Sequence, residues 1–186
     1  MRIVGGDLKG RVILTSKNLD YRPTKSIAKE MIFNVLAGAS FGRGNFIKDS
    51  AVLDLFCGSG ILGIESLSRG ARNATFVDIN KESVSLLQAN ISRLDLINRS
   101  NIIVADALKM SMPLRAYDII FADPPYNLIC MDRVANNILS SDCLNEGGVL
   151  IAEVASEAIV DLPPSFNILK EKKFGKSKFL FCSLED

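Results

Sequence analysis

Ala51-Val52-Leu53-Asp54-Leu55-Phe56 runs straight into Cys57-Gly58-Ser59-Gly60-Ile61-Leu62-Gly63. The first part, apolar but for one acid, reads as a strand buried on both faces. The glycines that follow let the backbone turn sharply and let a ligand approach the main chain. The turn also fits G-x-G-x-x-G, with Asp78 twenty residues beyond Gly58, which is a dinucleotide fingerprint when it joins a strand to a helix. A dinucleotide brings a pyrophosphate to such a turn, and a carboxylate four residues before the first glycine would repel it. Asp54 therefore favours a ligand without phosphates.

Outward from this unit, further strand candidates fall at 74–78, 101–105 and 117–122, each short and rich in Val, Ile or Phe. Helical patterns lie between them, as in a parallel sheet covered on both sides. Val84, Leu87, Ile91 and Leu94 recur at spacings of three and four after the cap-type residue Asn80. Upstream, Thr24 to Leu36 reads as a helix after Pro23, with Ile27, Met31 and Val35 on its buried side. Gly147 to Val154 and Lys178 to Ser183 are strand-like without a clear crossover helix between them, so a closing antiparallel hairpin is expected.

Each early strand carries an Asp at or near its carboxyl end: Asp54, Asp78, Asp106 and Asp123. That edge is where open α/β sheets bind ligands. The last acid opens the quartet Asp123-Pro124-Pro125-Tyr126. Proline lacks an N–H and fixes φ, so the pair ends the strand and holds Asp123, the Pro124 carbonyl and the Tyr126 ring in one stiff unit. Two acceptors and a ring suit a flat molecule bearing an NH₂ group, the acceptors taking the amine hydrogens and the ring stacking on a base. A strand-ending turn with Asp123 as a helix cap would use the same residues, and Asp54 or Asp106 singly could be a cap.

Composition excludes much. The 186 residues, 48% of them hydrophobic, suffice for one well-buried domain over 1–186, with 1–48 as a basic N-terminal arm and helix. No apolar run is long enough to cross a bilayer and no signal-peptide layout opens the chain, so a soluble cytoplasmic protein is expected. Cys57, Cys130, Cys143 and Cys182 show no Cys-x-x-Cys spacing and His is absent, which leaves a zinc site or a histidine triad almost without ligands. No metal is expected, and the thiols read as reduced and mostly buried. The net charge of +1 hides a segregation, with nine basic against three acidic side chains in 1–48 and 13 against 18 in 49–186. A basic arm bearing Arg2, Lys9, Arg11 and Lys25 reads as a polyanion contact. The second cluster, Lys170, Lys172, Lys173, Lys176 and Lys178, suits nucleic acid and plain solvation equally.

The quartet resembles the signature of amino-group methyltransferases that use S-adenosylmethionine. Its methionyl ammonium and sulfonium suit Asp54, its ribose hydroxyls suit Asp78, and Asp106 falls where enzymes of that fold grip the adenine amine. The likeness extends along the chain. Gly5-Gly6, Gly10-Arg11, Arg22-Pro23-Thr24, Ile32-Phe33-Asn34-Val35-Leu36, the turn from Asp54 to Gly60, Leu62-Gly63-Ile64-Glu65 and Ser68-Arg69-Gly70-Ala71 are similar to the bacterial RsmD methyltransferases. The resemblance implies a Rossmann-like class I S-adenosylmethionine-dependent methyltransferase, with a mostly parallel seven-stranded sheet. It implies methylation of the exocyclic N2 of one guanine in 16S ribosomal RNA, in the assembled small ribosomal subunit, by a monomer. It assigns catalysis to Asp123, Pro124, Pro125 and Tyr126 and cofactor binding to Asp54, Phe56, Gly58, Gly60, Asp78 and Asp106. Arg22 and Thr24 would close over the methionyl end or meet the RNA. Two stretches depart from the family pattern: Ile27-Ala28-Lys29 is poorer in arginine, and Phe174-Gly175-Lys176-Ser177-Lys178 is more basic.

Three other functions compete. A nicotinamide-dependent oxidoreductase would use the glycine turn, a DNA adenine-N6 methyltransferase would use the quartet, and a cofactor-free RNA-binding protein would use only the basic arm. The DNA enzyme usually needs an added target-recognition domain, for which this chain leaves little room.

Overall fold

The computed structural model describes residues 1–15, 26–38, 45–111, 116–125 and 131–185. In chain order the elements are α1 (Ser26–Ala37), β1 (Ala51–Leu55), α2 (Ile61–Ser68), β2 (Asn73–Asp78), α3 (Lys81–Arg93), β3 (Ser100–Val104), β4 (Tyr117–Ala122), α4 (Met131–Ser141), β5 (Leu144–Ala155), β6 (Phe166–Phe174) and β7 (Ser177–Leu184). Each of the four early strands lies within one residue of its expected bounds. They join one seven-stranded sheet in the order β3-β2-β1-β4-β5-β7-β6. Strands β1 to β5 pair in parallel, and β7 runs antiparallel to both of its neighbours, β5 and β6. The strand order reverses between β1 and β4, where loops leaving the two carboxyl ends diverge and open a crevice.

Alternation along the strands builds two cores. Val52, Phe76, Ile119, Phe121, Val149, Ile151, Phe179 and Phe181 pack on one face with α1, α2 and α3. Leu53, Leu55, Val77, Ile120, Leu150, Leu180 and Cys182 pack on the other with Val134, Ala135 and Ile138 of α4. Every residue of β1 is buried, as a strand covered on both faces requires. Asn80 caps α3, its Oδ1 accepting from the Glu82 and Ser83 amides at 2.9 and 3.1 Å, and Val84, Leu87, Ile91 and Leu94 are buried as expected. Cys57, Cys143 and Cys182 are buried free thiols, and burial pushes Cys143 up to about 11 and Cys182 to about 12. Among the described residues no helix is long and apolar enough to cross a membrane.

Two expectations need correction. Ile27 is 64% exposed and Met31 only half-buried; the inward face of α1 is Ala28, Lys29, Ile32, Phe33, Val35 and Leu36. Two stripes at the same spacing compete along this helix, and Lys29 made the true one look polar. Its ammonium is fully buried, donates to the Arg2 carbonyl at 2.7 Å and faces the Glu65 carboxylate. The closing segment also differs in part. The stretches expected as partners do pair antiparallel, as β5 and β7, but the tight hairpin is β6–β7, turned at Gly175 with φ 60°. Strand β6 went unread because its lysines hide the alternation. Charge of this kind on a sheet's outermost strand discourages edge-to-edge pairing.

The N-terminal segment folds back on itself through an antiparallel bridge between Arg2 and Val12. It is clamped to α2 and α3. The Val4 and Gly5 amides donate to the two Glu65 carboxylate oxygens at 2.8 and 2.7 Å, and the Leu8 amide donates to Ser68 Oγ at 2.9 Å. Farther along, the Leu14 amide donates to Asn90 Oδ1 at 2.8 Å. Glu65 is fully buried and also accepts from Arg69 Nε at 2.8 Å.

Candidate functional site

The glycine turn is tied to the end of β2. The Cys57 amide donates to the Val77 carbonyl at 3.0 Å, and the Gly58 amide donates to Asp78 Oδ2 at 2.7 Å. Gly60 stands at φ 77° where α2 begins, a left-handed conformation that glycine adopts without strain. A Cβ on Gly63 would sit 2.3 Å from the Phe76 ring, so this glycine lets α2 lie close against β2. Phe56 holds φ 58°, uncommon for an aromatic residue, between the strand and the turn. Backbone strain of this kind collects at ligand-binding turns.

The acids expected at the carboxyl edge divide by depth. Asp78 is half-buried; its Oδ2 takes Gly58 and its Oδ1 takes the Asn80 amide at 2.8 Å, which leaves each oxygen a second lone pair. Asp106 is also half-buried, and the Leu108 N–H, aided by Lys109 3.3 Å away, holds its carboxyl below the usual range. Asp54 is different. It is 3% exposed beneath the turn, where its Oδ2 accepts from the Gly63 amide at 2.9 Å, and burial followed by the nearby Asp78 charge pushes its pKa up to about 8. Raised in this way, the Asp54 carboxyl carries less charge at neutral pH than an exposed aspartate, which weakens its repulsion of a pyrophosphate. It supports the turn from below through its bond with the Gly63 amide.

A pH dependence follows. Asp54 keeps its proton in the folded chain up to about pH 8, whereas unfolded it ionises near 3.8. Between those values the folded state holds the extra proton, so the stability this group contributes is full below the unfolded pKa and is lost as pH rises toward 8. The melting temperature of the ligand-free protein, measured relative to Asp54→Asn, should fall from pH 5 to pH 8. An asparagine keeps the acceptor for Gly63 and has nothing to titrate. A constant difference across that range would contradict the assignment.

At the end of β4, Asp123 is half-buried, Pro124 buried and Pro125 exposed. Beside it is a residue that the sequence reading missed, Glu153 of β5. Ala122 pairs with Ala152 in the parallel register, so the next residues, Asp123 and Glu153, stand level on neighbouring strands. Both line a small cavity with Ile32, Leu62, Phe121, Ile151 and Phe179. Burial, then Glu153 and then Asp54, raises the Asp123 pKa well above the usual carboxylate range. The only sequence signal for Glu153 was an acid within the apolar strand Val149–Val154.

The carboxyl edge thus brings together Phe56, Gly58, Gly60, Asp78, Asp106 and Asp123, with Asp54 underneath. Arg22, Thr24, Lys25 and Tyr126 lie outside the described residues. Arg2, Lys9 and Arg11 are exposed, but the turn carrying Lys9 packs beside Ser68, at the end of α2 away from the glycine turn. No cluster of His, Cys, Asp and Glu suited to a metal ion occurs among the described residues.

With this geometry in view, residues 1–183 match the family described as conserved hypothetical protein 95, the RsmD family. The chain belongs to the RsmD family. Ribosomal RNA small subunit methyltransferase D of Buchnera aphidicola subsp. Acyrthosiphon pisum is 32% identical, covering 91% of this chain and 86% of that protein. The methylase RP545 of Rickettsia prowazekii is 28% identical, covering 97% of this chain and 96% of its own length. The solved Escherichia coli protein yhhF superposes with a TM-score of 0.87 over all of this chain and 98% of that one, at 24% identity. The fold of this RsmD-family chain is that of class I S-adenosylmethionine-dependent methyltransferases.

Proposed function

We propose that this chain transfers a methyl group from S-adenosylmethionine to the exocyclic N2 amine of a guanine in small-subunit ribosomal RNA. The observation that carries the reading is Asp123-Pro124-Pro125 at the end of β4, beside the strand-order reversal and level with the glycine turn of β1. The small-subunit RNA enzymes among its relatives support the substrate class.

The residues present fit the cofactor. Asp78 and Asp106, at the ends of adjacent strands, keep acceptor lone pairs for ribose hydroxyls and the adenine amine, and the Gly58–Gly60 turn offers backbone to the methionyl end. Arg22 and Thr24 are assigned to the same end on the family pattern. When bound, S-adenosylmethionine supplies a methyl group made electrophilic by its sulfonium.

The chain's own part is to make a poor nucleophile a good one. The guanine amine lone pair is delocalised into the ring. Hydrogen bonds from the amine to Asp123 and to the Pro124 carbonyl favour a pyramidal nitrogen with a localised lone pair, and Tyr126 stacks on the base. Asp123 then receives the proton released as the nitrogen gains its fourth bond. Holding both reactants in line removes much of the remaining barrier. The basic arm contacts RNA phosphates, through the exposed Arg2, Lys9 and Arg11 away from the reacting base and, on the sequence reading, through Lys25.

The test is methylation of purified small ribosomal subunits from cells lacking this activity, followed by nucleoside mass spectrometry. The expected product is N2-methylguanosine, formed faster on assembled subunits than on naked RNA. Label in adenine, or none in RNA, would overturn the reading.

A further inference from the structure

The register of the sheet places the lysine-rich hairpin in line with the Asp123 cavity. Asp123 is level with Glu153, Glu153 pairs with Phe179, and Phe179 pairs with Lys172. Phe121, Ile151 and Phe179, which line the cavity with the two acids, share one face of the sheet. Directly opposed residues of an antiparallel pair point to the same face, so Lys172 projects on the face of Phe179 and of the cavity. Lys170, opposite Phe181, lies on that face one step farther from the carboxyl edge. Three strand spacings separate Asp123 from Lys172, roughly 14 Å. The hairpin turn itself reaches the carboxyl edge, where the Lys176 carbonyl accepts from the Ser156 amide at 2.9 Å just beyond the end of β5. Lys176 is exposed there and Lys172 is half-buried.

The remaining charges of the hairpin sort differently. Lys173 and Lys178 oppose one another on the other face. The Lys178 ammonium is engaged, donating to the Ala158 carbonyl at 3.0 Å and lying 3.8 Å from the Glu171 carboxylate. The cluster is therefore two sets, and only one faces the cavity.

We infer that Lys172 and Lys176 bind phosphates of the RNA nucleotides flanking the base presented to Asp123. This rests on the function proposed above. The cavity is lined by Asp123 and Glu153, so an approaching polyanion meets repulsion at the reacting centre and needs cations at its margin. Among the described residues of the basic arm none supplies them, because the Lys9 turn sits at the far end of α2. Lys172 does so on the same face and Lys176 at the turn on the carboxyl edge, a few nucleotides away. A phosphate contact here positions the strand and carries no base preference.

The test titrates the protein with purified unmethylated small ribosomal subunits over a range of KCl concentrations. Lys172→Glu/Lys176→Glu is compared with wild type, and Lys172→Gln/Lys176→Gln, which introduces no acid, guards against a folding defect. Losing two phosphate contacts should weaken subunit binding by roughly tenfold or more and flatten the log–log salt slope by about 1.4. The Gln pair should show the same flattening with a smaller loss, and S-adenosylmethionine affinity should hold in both. An unchanged salt slope in both pairs overturns the inference, even if affinity falls, since that result means contact with ribosomal protein. If wild type methylates subunits normally and only the slope prediction fails, this inference alone falls. If wild type neither binds nor methylates RNA, the proposed function falls with it.

Discussion

Asp123→Ala is expected to reduce methyl transfer by about 10²- to 10⁴-fold, the range a positioned proton acceptor contributes, while S-adenosylmethionine affinity stays nearly unchanged. The deleted carboxylate serves the substrate amine and not the cofactor, so the loss appears in kcat and not in cofactor binding. The wild-type pH profile adds a second readout. Burial and Glu153 keep Asp123 protonated above the ordinary carboxylate range, and only the ionised form can accept the amine hydrogen and then take up its proton. Activity should therefore rise with pH through an unusually high acid limb. Glu153→Gln removes the nearer negative charge and should move that limb to lower pH. Normal turnover in Asp123→Ala, or an acid limb indifferent to Glu153, would falsify the role assigned to this pair.

The second large effect concerns stability. Glu65→Ala should cost about 3–5 kcal/mol, the usual penalty for leaving one side of a buried ion cluster unpaired. The fully buried Glu65 carboxylate holds the Val4 and Gly5 amides and Arg69 Nε, and it faces the equally buried Lys29. Arg69 in turn lies over the Phe33 ring, 4.7 Å from its centre. Without the carboxylate, two backbone amides lose their acceptor and two cations lose their counter-charge. Denaturant titration measures the loss, and hydrogen exchange should show the Val4 and Gly5 amides unprotected well before global unfolding. A change under about 1 kcal/mol would mean that water readily replaces the clamp.

What was legible in the sequence follows from how local each signal is. The four early strands were read to within a residue because strands buried on both faces are short apolar runs whatever they pack against. Asn80 was legible because a cap acts over three residues. The inward face of α1 was not, since Lys29 can be buried only because Glu65 approaches from another helix, and no local pattern announces that. Strand β6 was hidden for a related reason: an outermost strand needs apolar residues on only part of one face. At the site, the Asp at each strand end could be counted, but depth could not. Asp54 looked like a surface charge and lies under the turn. Glu153 looked like an ordinary strand acid and becomes the neighbour of Asp123 only through the register of β4 and β5.

The placement of β7 between β5 and β6 has a consequence for the order of assembly. Phe179, which closes one side of the Asp123 cavity, belongs to a strand made after every other wall residue, and that strand enters the sheet beside β5 rather than at the free edge. On a growing chain, β1 to β5 can pair while β5 still offers an open, largely apolar border to any passing strand. The cavity is complete only once the last hairpin has docked on that border. A chain stalled or clipped before residue 177 would thus carry every acid of the site without the strand that walls the space beside Asp123 and Glu153.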